Sequence, residues 1–292
     1  MKKITALWCM SAIIILLISQ VAFSSQTIVA VKAVSDPVLD GSPDDAVWKG
    51  AGKYTIKDNR TGDDITLRAI YTKNKVSFLV TYPDSSADIR HKLLVWDKET
   101  KLYKPGPQRE DGFAFKWSME ENDVNLSNFS DDNYIADVWY WKAARTNPAG
   151  YSDDKSHILS SIAGKKAAEL TSKKGVKRYL MRKGDNGKSA SKKHILAEFQ
   201  GDIVDQYVSQ TPEGSRADVA AKGVWKDGYW TIELSRRLDT GHQDDLQFSP
   251  DSGKKYKFGV SIFGLYGNPE DNSKPHLYGQ GRISEDLLLI FK

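Results

Sequence analysis

Between Asp111 and Met119 every second residue is large and apolar: Phe113, Phe115, Trp117 and Met119 alternate with Ala114, Lys116 and Ser118. A period of two marks a β-strand with one buried face. Three aromatic rings and a thioether on that face require a second layer to cover them. Similar runs recur at Ile65–Tyr71, Lys75–Tyr82, Ile135–Lys142, Tyr256–Tyr266 and Asp286–Phe291. Asp227-Gly228 is a hairpin turn signal joining Ala220–Trp225 to Tyr229–Leu234. Many short strands between Gly, Asn and Asp turns predict an all-β fold, an antiparallel β-sandwich of immunoglobulin-like or jelly-roll type. A few short helices are expected in loops, one of them within Ser156–Leu170.

The core has ample material, with 8 Trp, 13 Tyr and 10 Phe, which excludes a disordered chain. The net charge of +4 is too near balance for a nucleic-acid binder. Lys2 and Lys3, the apolar run Ala6–Ile18 and Ala22-Phe23-Ser24 have the layout of a secretory signal peptide cleaved near Ser24. The expected organisation is a signal peptide over 1–24 and one sandwich domain over 25–292, periplasmic, with no membrane span after cleavage. Cys9, the only cysteine, lies in the signal segment. Mature protein would then have no disulfide, thiolate ligand or covalently attached haem. Eleven Lys or Arg against two acids between Lys165 and Lys193 predict a solvated basic loop or insert at about 160–193. Its alternative reading is a docking face for an acidic partner.

Enzyme motifs are absent: there is no G-x-S-x-G, no P-loop and no H-E-x-x-H. The pairs Asp131-Asp132, Asp153-Asp154 and Asp244-Asp245 read as turns, because neighbours on a strand point to opposite faces. The sequence thus points to a non-catalytic component. Met119 and Met181 are the methionines beyond the signal segment. Met119 ends the aromatic face, where a thioether could coordinate a haem iron or simply fill a gap in the core.

The order of segments is more informative than any one of them. Val38-Leu-Asp-Gly-Ser-Pro-Asp-Asp-Ala-Val-Trp48 resembles the opening of family 9 carbohydrate-binding modules and DOMON domains. Glu110–Met119, Ala136–Thr146, Gly150–Asp154, Gly223–Leu234 and Phe258–Phe263 complete a set similar to the haem-binding gamma subunit of ethylbenzene dehydrogenase and its relatives. The resemblance covers roughly residues 30–292. It implies a sandwich holding one non-covalent b-type haem and passing single electrons. It also implies a pocket formed by Phe113, Phe115, Trp117 and Trp139, with Met119 at the family's methionine position. The second ligand falls in Asn272–Tyr278, which contains Lys274 and His276. Family precedent favours Lys274. Deprotonating an ordinary lysine at neutral pH costs about 4–5 kcal/mol, which favours His276. His91 is a third candidate. The implied partner is a membrane-anchored multihaem c-type cytochrome or the iron–sulfur subunit of a molybdoenzyme. Two alternatives stand: a carbohydrate-binding module using Trp139, Trp141, Trp225 and Trp230, and a haem-free assembly subunit.

Overall fold

The computed structural model describes residues 26–58, 62–264 and 287–292. The signal segment, Lys274 and His276 lie outside them. The first strands are β1 (Gln26–Lys32), β2 (Tyr54–Lys57), β3 (Asp64–Tyr71), β4 (Lys75–Pro83), β5 (Leu94–Asp97), β6 (Leu102–Pro105), β7 (Gly112–Ser118), β8 (Tyr134–Lys142) and β9 (Asp153–Ser160). They are followed by β10 (Ala168–Thr171), β11 (Lys177–Gly184), β12 (Ser191–Lys193), β13 (Ile203–Val204), β14 (Tyr207–Ser209), β15 (Ala220–Lys226), β16 (Tyr229–Arg237), β17 (Tyr256–Phe263) and β18 (Leu287–Phe291). Helix among the described residues is confined to four short 3-10 turns, the longest Ala46–Gly50.

Thirteen strands form one hydrogen-bonded ladder in the order β10-β11-β9-β8-β7-β17-β18-β1-β3-β4-β16-β15, with β2 added on β3. The ladder folds onto itself as a sandwich. Phe78 of β4 meets Phe115 of β7 at 4.7 Å between ring centroids, and Trp141 of β8 meets Trp230 of β16 at 4.9 Å. Pairing is antiparallel except at the join, where β1 runs parallel to both β18 and β3. Local hairpins cannot supply that join, because it brings the first and last strands together. The β15–β16 hairpin turns at Asp227 and Gly228, both with positive φ (50° and 82°), as a two-residue primed turn requires.

The stretch Ser156–Leu170 is not helical: β9 and β10 occupy its two ends. Nor is the basic segment a solvated loop. β10 and β11 extend the sheet beyond β9, and Leu170 and Leu180 pack with Leu159, Tyr134 and Val138 in a second apolar cluster. Alternate apolar positions anchor these strands while their lysines remain in water, and such charges protect a sheet edge from pairing with another chain.

Candidate functional site

Strand β7 is buried on both faces. Its odd residues Phe113, Phe115 and Trp117 face the opposite layer, each with no exposed surface. Trp117 stacks on Phe258 at 4.6 Å and packs against Trp139 at 5.4 Å. Rings this close fill the space between the layers, so Phe113, Phe115, Trp117 and Trp139 form core rather than the wall of a pocket. Trp141 and Trp230 are likewise buried there, leaving Trp225 half-buried among the four tryptophans considered for sugar stacking.

Met119 sits just past the end of β7, half-buried, its N–H donating to Ile135 O at 3.1 Å. It lines a cleft of about 660 Å³ with Leu246, Tyr256 and Leu288 and with charges of both signs, including Glu120, Asp123 and Lys257. The aromatic residues and Met119 are therefore not gathered around one cavity.

The other face of the same strands carries a different pocket, about 240 Å³ in volume. Cross-strand registry builds its floor. Lys116 of β7 lies beside Val138 of β8, which lies beside Lys155 of β9; in the next rows Ala114 pairs with Tyr140, and Ala136 with His157. Ser261 and Phe263 of β17 and Arg182 of β11 flank this floor. Loop residues and the start of β14 complete the walls, with His91 edge-on to Tyr207 at 5.6 Å and Arg145 over the Tyr207 ring at 5.3 Å.

Six lysine and arginine side chains line this pocket (Lys92, Lys116, Lys142, Arg145, Lys155 and Arg182), and among the described residues no carboxylate does. Two acids stand behind the cations. Asp153 takes Lys142 at 2.5 Å, Lys155 at 3.1 Å and Arg216. Glu110 takes Arg145, and lies 3.3 Å from His91 Nδ1. Lys116 donates to Leu126 O at 2.8 Å, Asn128 Oδ1 at 2.9 Å and Tyr134 OH at 2.5 Å.

Burial, and then neighbouring positive charge, drives protons off Lys116, Lys142, His157 and His91. Burial, then the nearby Arg182, holds Lys116 well below the ordinary lysine range. Burial brings Lys142 down to about 7 against the pull of Asp153. Burial, followed by Lys116, Lys155 and Arg182, holds His157 well below its ordinary value. His157 is thus a neutral imidazole at physiological pH, and its buried Nδ1 has no hydrogen-bond partner. Burial and Arg145 do the same to His91, which falls to about 2.

Of the described residues singled out from the sequence as ligands or pocket walls, His91 alone lies in this pocket. His157 escaped because histidine spacing along the chain does not reveal registry across β8 and β9. A signal was present in Lys116 and Lys142: a lysine at an even position of a strand whose odd face is aromatic must point into something other than a core.

The β-sandwich thus carries, on one outer face of its sheet, a pocket lined by basic side chains. A profile of the ethylbenzene dehydrogenase family matches residues 22–277, and the chain belongs to that family. Solved structures similar to it include a family 9 carbohydrate-binding module from Caldicellulosiruptor kristjanssonii in complex with cellotriose, with 10% identity, 91% of this chain and 94% of that chain covered, and a TM-score of 0.40. The glucose complex of a family 9 module from the same organism gives 11% identity, 91% and 96% coverage, and a TM-score of 0.41. No curated protein matches the chain. No helix among the described residues is long and apolar enough to cross a membrane.

Proposed function

We propose that this chain is an exported, non-catalytic electron-transfer component holding one non-covalent b-type haem in the cationic pocket. Its partner would be a membrane-anchored multihaem c-type cytochrome or a molybdoenzyme iron–sulfur subunit. Bound haem supplies one-electron ferric–ferrous chemistry; the chain supplies the ligand, the charge and the dry surroundings. The observation that carries this reading is His157, a neutral, half-buried imidazole whose buried Nδ1 has no hydrogen-bond partner, in a pocket lined by six lysine and arginine side chains. A neutral imidazole binds iron without first losing a proton. Lys92, Lys142, Lys155, Arg145 and Arg182 would take the two propionates, and Tyr140, Tyr207 and Phe263 would cover the ring. At about 240 Å³ the cavity is below the roughly 300–1,000 Å³ of most ligand pockets, so a whole macrocycle requires the pocket to widen.

Met119 keeps a separate place in the proposal, because its 660 Å³ cleft has the greater volume. The two sites are distinguished by spectra. Protein produced with haem supply should show a Soret band and a pyridine-haemochrome signal near one haem per chain. His157→Ala should lose the haem or change its spin state, while Met119→Ala should leave both unchanged. The reverse pattern moves the haem to the Met119 cleft. A colourless protein that takes up no haemin overturns the haem reading. Glycan binding by that protein would favour a carbohydrate-binding module, and co-purification with a cytochrome would favour an assembly subunit.

A further inference from the structure

Behind β9, on the face turned away from the cationic pocket, three carboxylates are buried together. Asp137 of β8, Asp154 of β9 and Asp245 of the loop after β16 each contribute an oxygen to a group lying within 4.8 Å of one another. Their exposures are 0%, 0% and 4%. Asp137 Oδ2 accepts from Arg236 Nη1 at 2.6 Å and from the Leu246 N–H at 2.9 Å. Asp137 Oδ1 and both oxygens of Asp154 have no hydrogen-bond partner, while Asp245 faces Thr240 and Asp218 with no close hydrogen bond to either. Arg236 Nη1 lies 3.5 Å from Asp245 Oδ1 and 3.9 Å from Asp154 Oδ2, too far for either. His242 Nδ1 lies 3.9 Å from Asp245 Oδ2 and is engaged by Asp218 at 2.6 Å.

One guanidinium cannot balance three carboxylates in a place that water does not reach. Left bare, each buried oxygen forfeits its hydration without return. Asp154 is the clearest case: it is fully buried, both oxygens are unpartnered, and it faces the other two acids. Asp185 adds to the imbalance, since its Oδ2 is also buried and unpartnered. Two fillings restore balance, protons on two of the acids or a divalent cation between them.

We infer that Asp137, Asp154 and Asp245 form a calcium site that ties the loop after β16 to strands β8 and β9. Oxygens bound to one calcium at 2.3–2.6 Å can stand up to about 5 Å apart, which accommodates the observed spacing. Carboxylates that bind through both oxygens suit calcium's flexible coordination of 6–8 oxygens. Magnesium keeps several waters in strict octahedral geometry, and residues this buried leave little access for them. The site is independent of the haem reading, because it uses the opposite face of β9.

The test uses the mature chain, stripped with EGTA and then titrated with calcium at pH 7.5. Calcium should raise the melting temperature by about 5 °C at 100-fold excess over Kd. Terbium should bind in its place and luminesce on tryptophan excitation, since the Arg236 guanidinium beside the acids lies 4.5 Å from the Trp139 ring centroid. Asp154→Asn, close in shape to the native residue, should abolish the calcium-dependent shift and the terbium signal. If the stripped wild-type chain shows neither a shift nor terbium luminescence at millimolar metal, the site holds protons and the inference fails. It fails also if Asp154→Asn responds to calcium as the wild type does.

Discussion

Arg236 of β16 reaches across the sandwich to Asp137 of β8, Nη1 to Oδ2 at 2.6 Å, with neither side chain exposed beyond 1%. Its guanidinium also lies over the Trp139 ring at 4.5 Å. One ion pair thus links the layers in the middle of an aromatic core. Removing one partner leaves an uncompensated buried charge, which costs about 3–5 kcal/mol. Arg236→Ala should lower the urea midpoint accordingly; a change within experimental scatter would show that the pair contributes little.

Glu233 explains the motif at the start of the domain. Its carboxylate accepts from the backbone N–H groups of Asp40 (3.0 Å) and Gly41 (2.9 Å), and from Trp48 Nε1 (3.0 Å). Gly41 has φ +81°, and a Cβ there would come within 2.6 Å of Val224 Cγ2, so another residue would be both strained and obstructed. Glu233→Ala leaves these donors bare, at about 1–3 kcal/mol for a buried one. Thermal unfolding should show the loss, with reduced protection of the Asp40 and Gly41 amides in hydrogen exchange.

Close approach also fixes Gly223 of β15. A Cβ at this position would lie 2.4 Å from Trp141 Cζ2, while the backbone is held on both sides by Asn147, which accepts from Gly223 N–H at 2.8 Å and donates to Gly223 O at 2.9 Å. The strand cannot retreat, so Gly223→Ala should destabilise by about 1–3 kcal/mol through overpacking. Equal stability of the two proteins would mean that the Trp141 ring moves freely.

Asp111 gives the fold a pH dependence. Burial, then the charge of Asp84, pushes its carboxyl up to about 8, although Asp88 N–H and Trp230 Nε1 both donate to Oδ2. The unfolded chain loses this proton near pH 4. Between about pH 4 and 8 the native state therefore holds a proton that the unfolded state lacks, and stability falls as pH rises through that window. In Asp111→Asn the amide can donate toward Asp84 and no proton is released. Wild type should lose stability between pH 5 and 8.5, as measured by urea midpoints, and the variant should lose less. Parallel profiles would assign the slope to other groups.

The sequence legibly encoded the strands, because period two, β-branched content and Asp-Gly turns act over a few residues. It placed β3, β4, β7, β8, β16 and β17, and it put Phe113, Phe115 and Trp117 on one face. It failed over 156–193, where short apolar anchors such as Leu170 and Leu180 are diluted by lysines whose charge says nothing about backbone pairing. It also read the aromatic face of β7 as a pocket wall, because an aromatic stripe describes a pocket wall and a packed core equally well. What filled that stripe was the opposite layer, delivered by β4 and β16.

Sequence by itself determined that this chain must be a two-layer β protein, since alternating aromatic residues need a cover and local turn chemistry sets the hairpins. Tertiary structure alone decided where Lys116, Lys142 and His157 meet, and where Asp137, Asp154 and Asp245 meet. Both gatherings depend on registry between strands distant in the chain and on burial that shifts proton affinities. Neither quantity exists until the layers have closed.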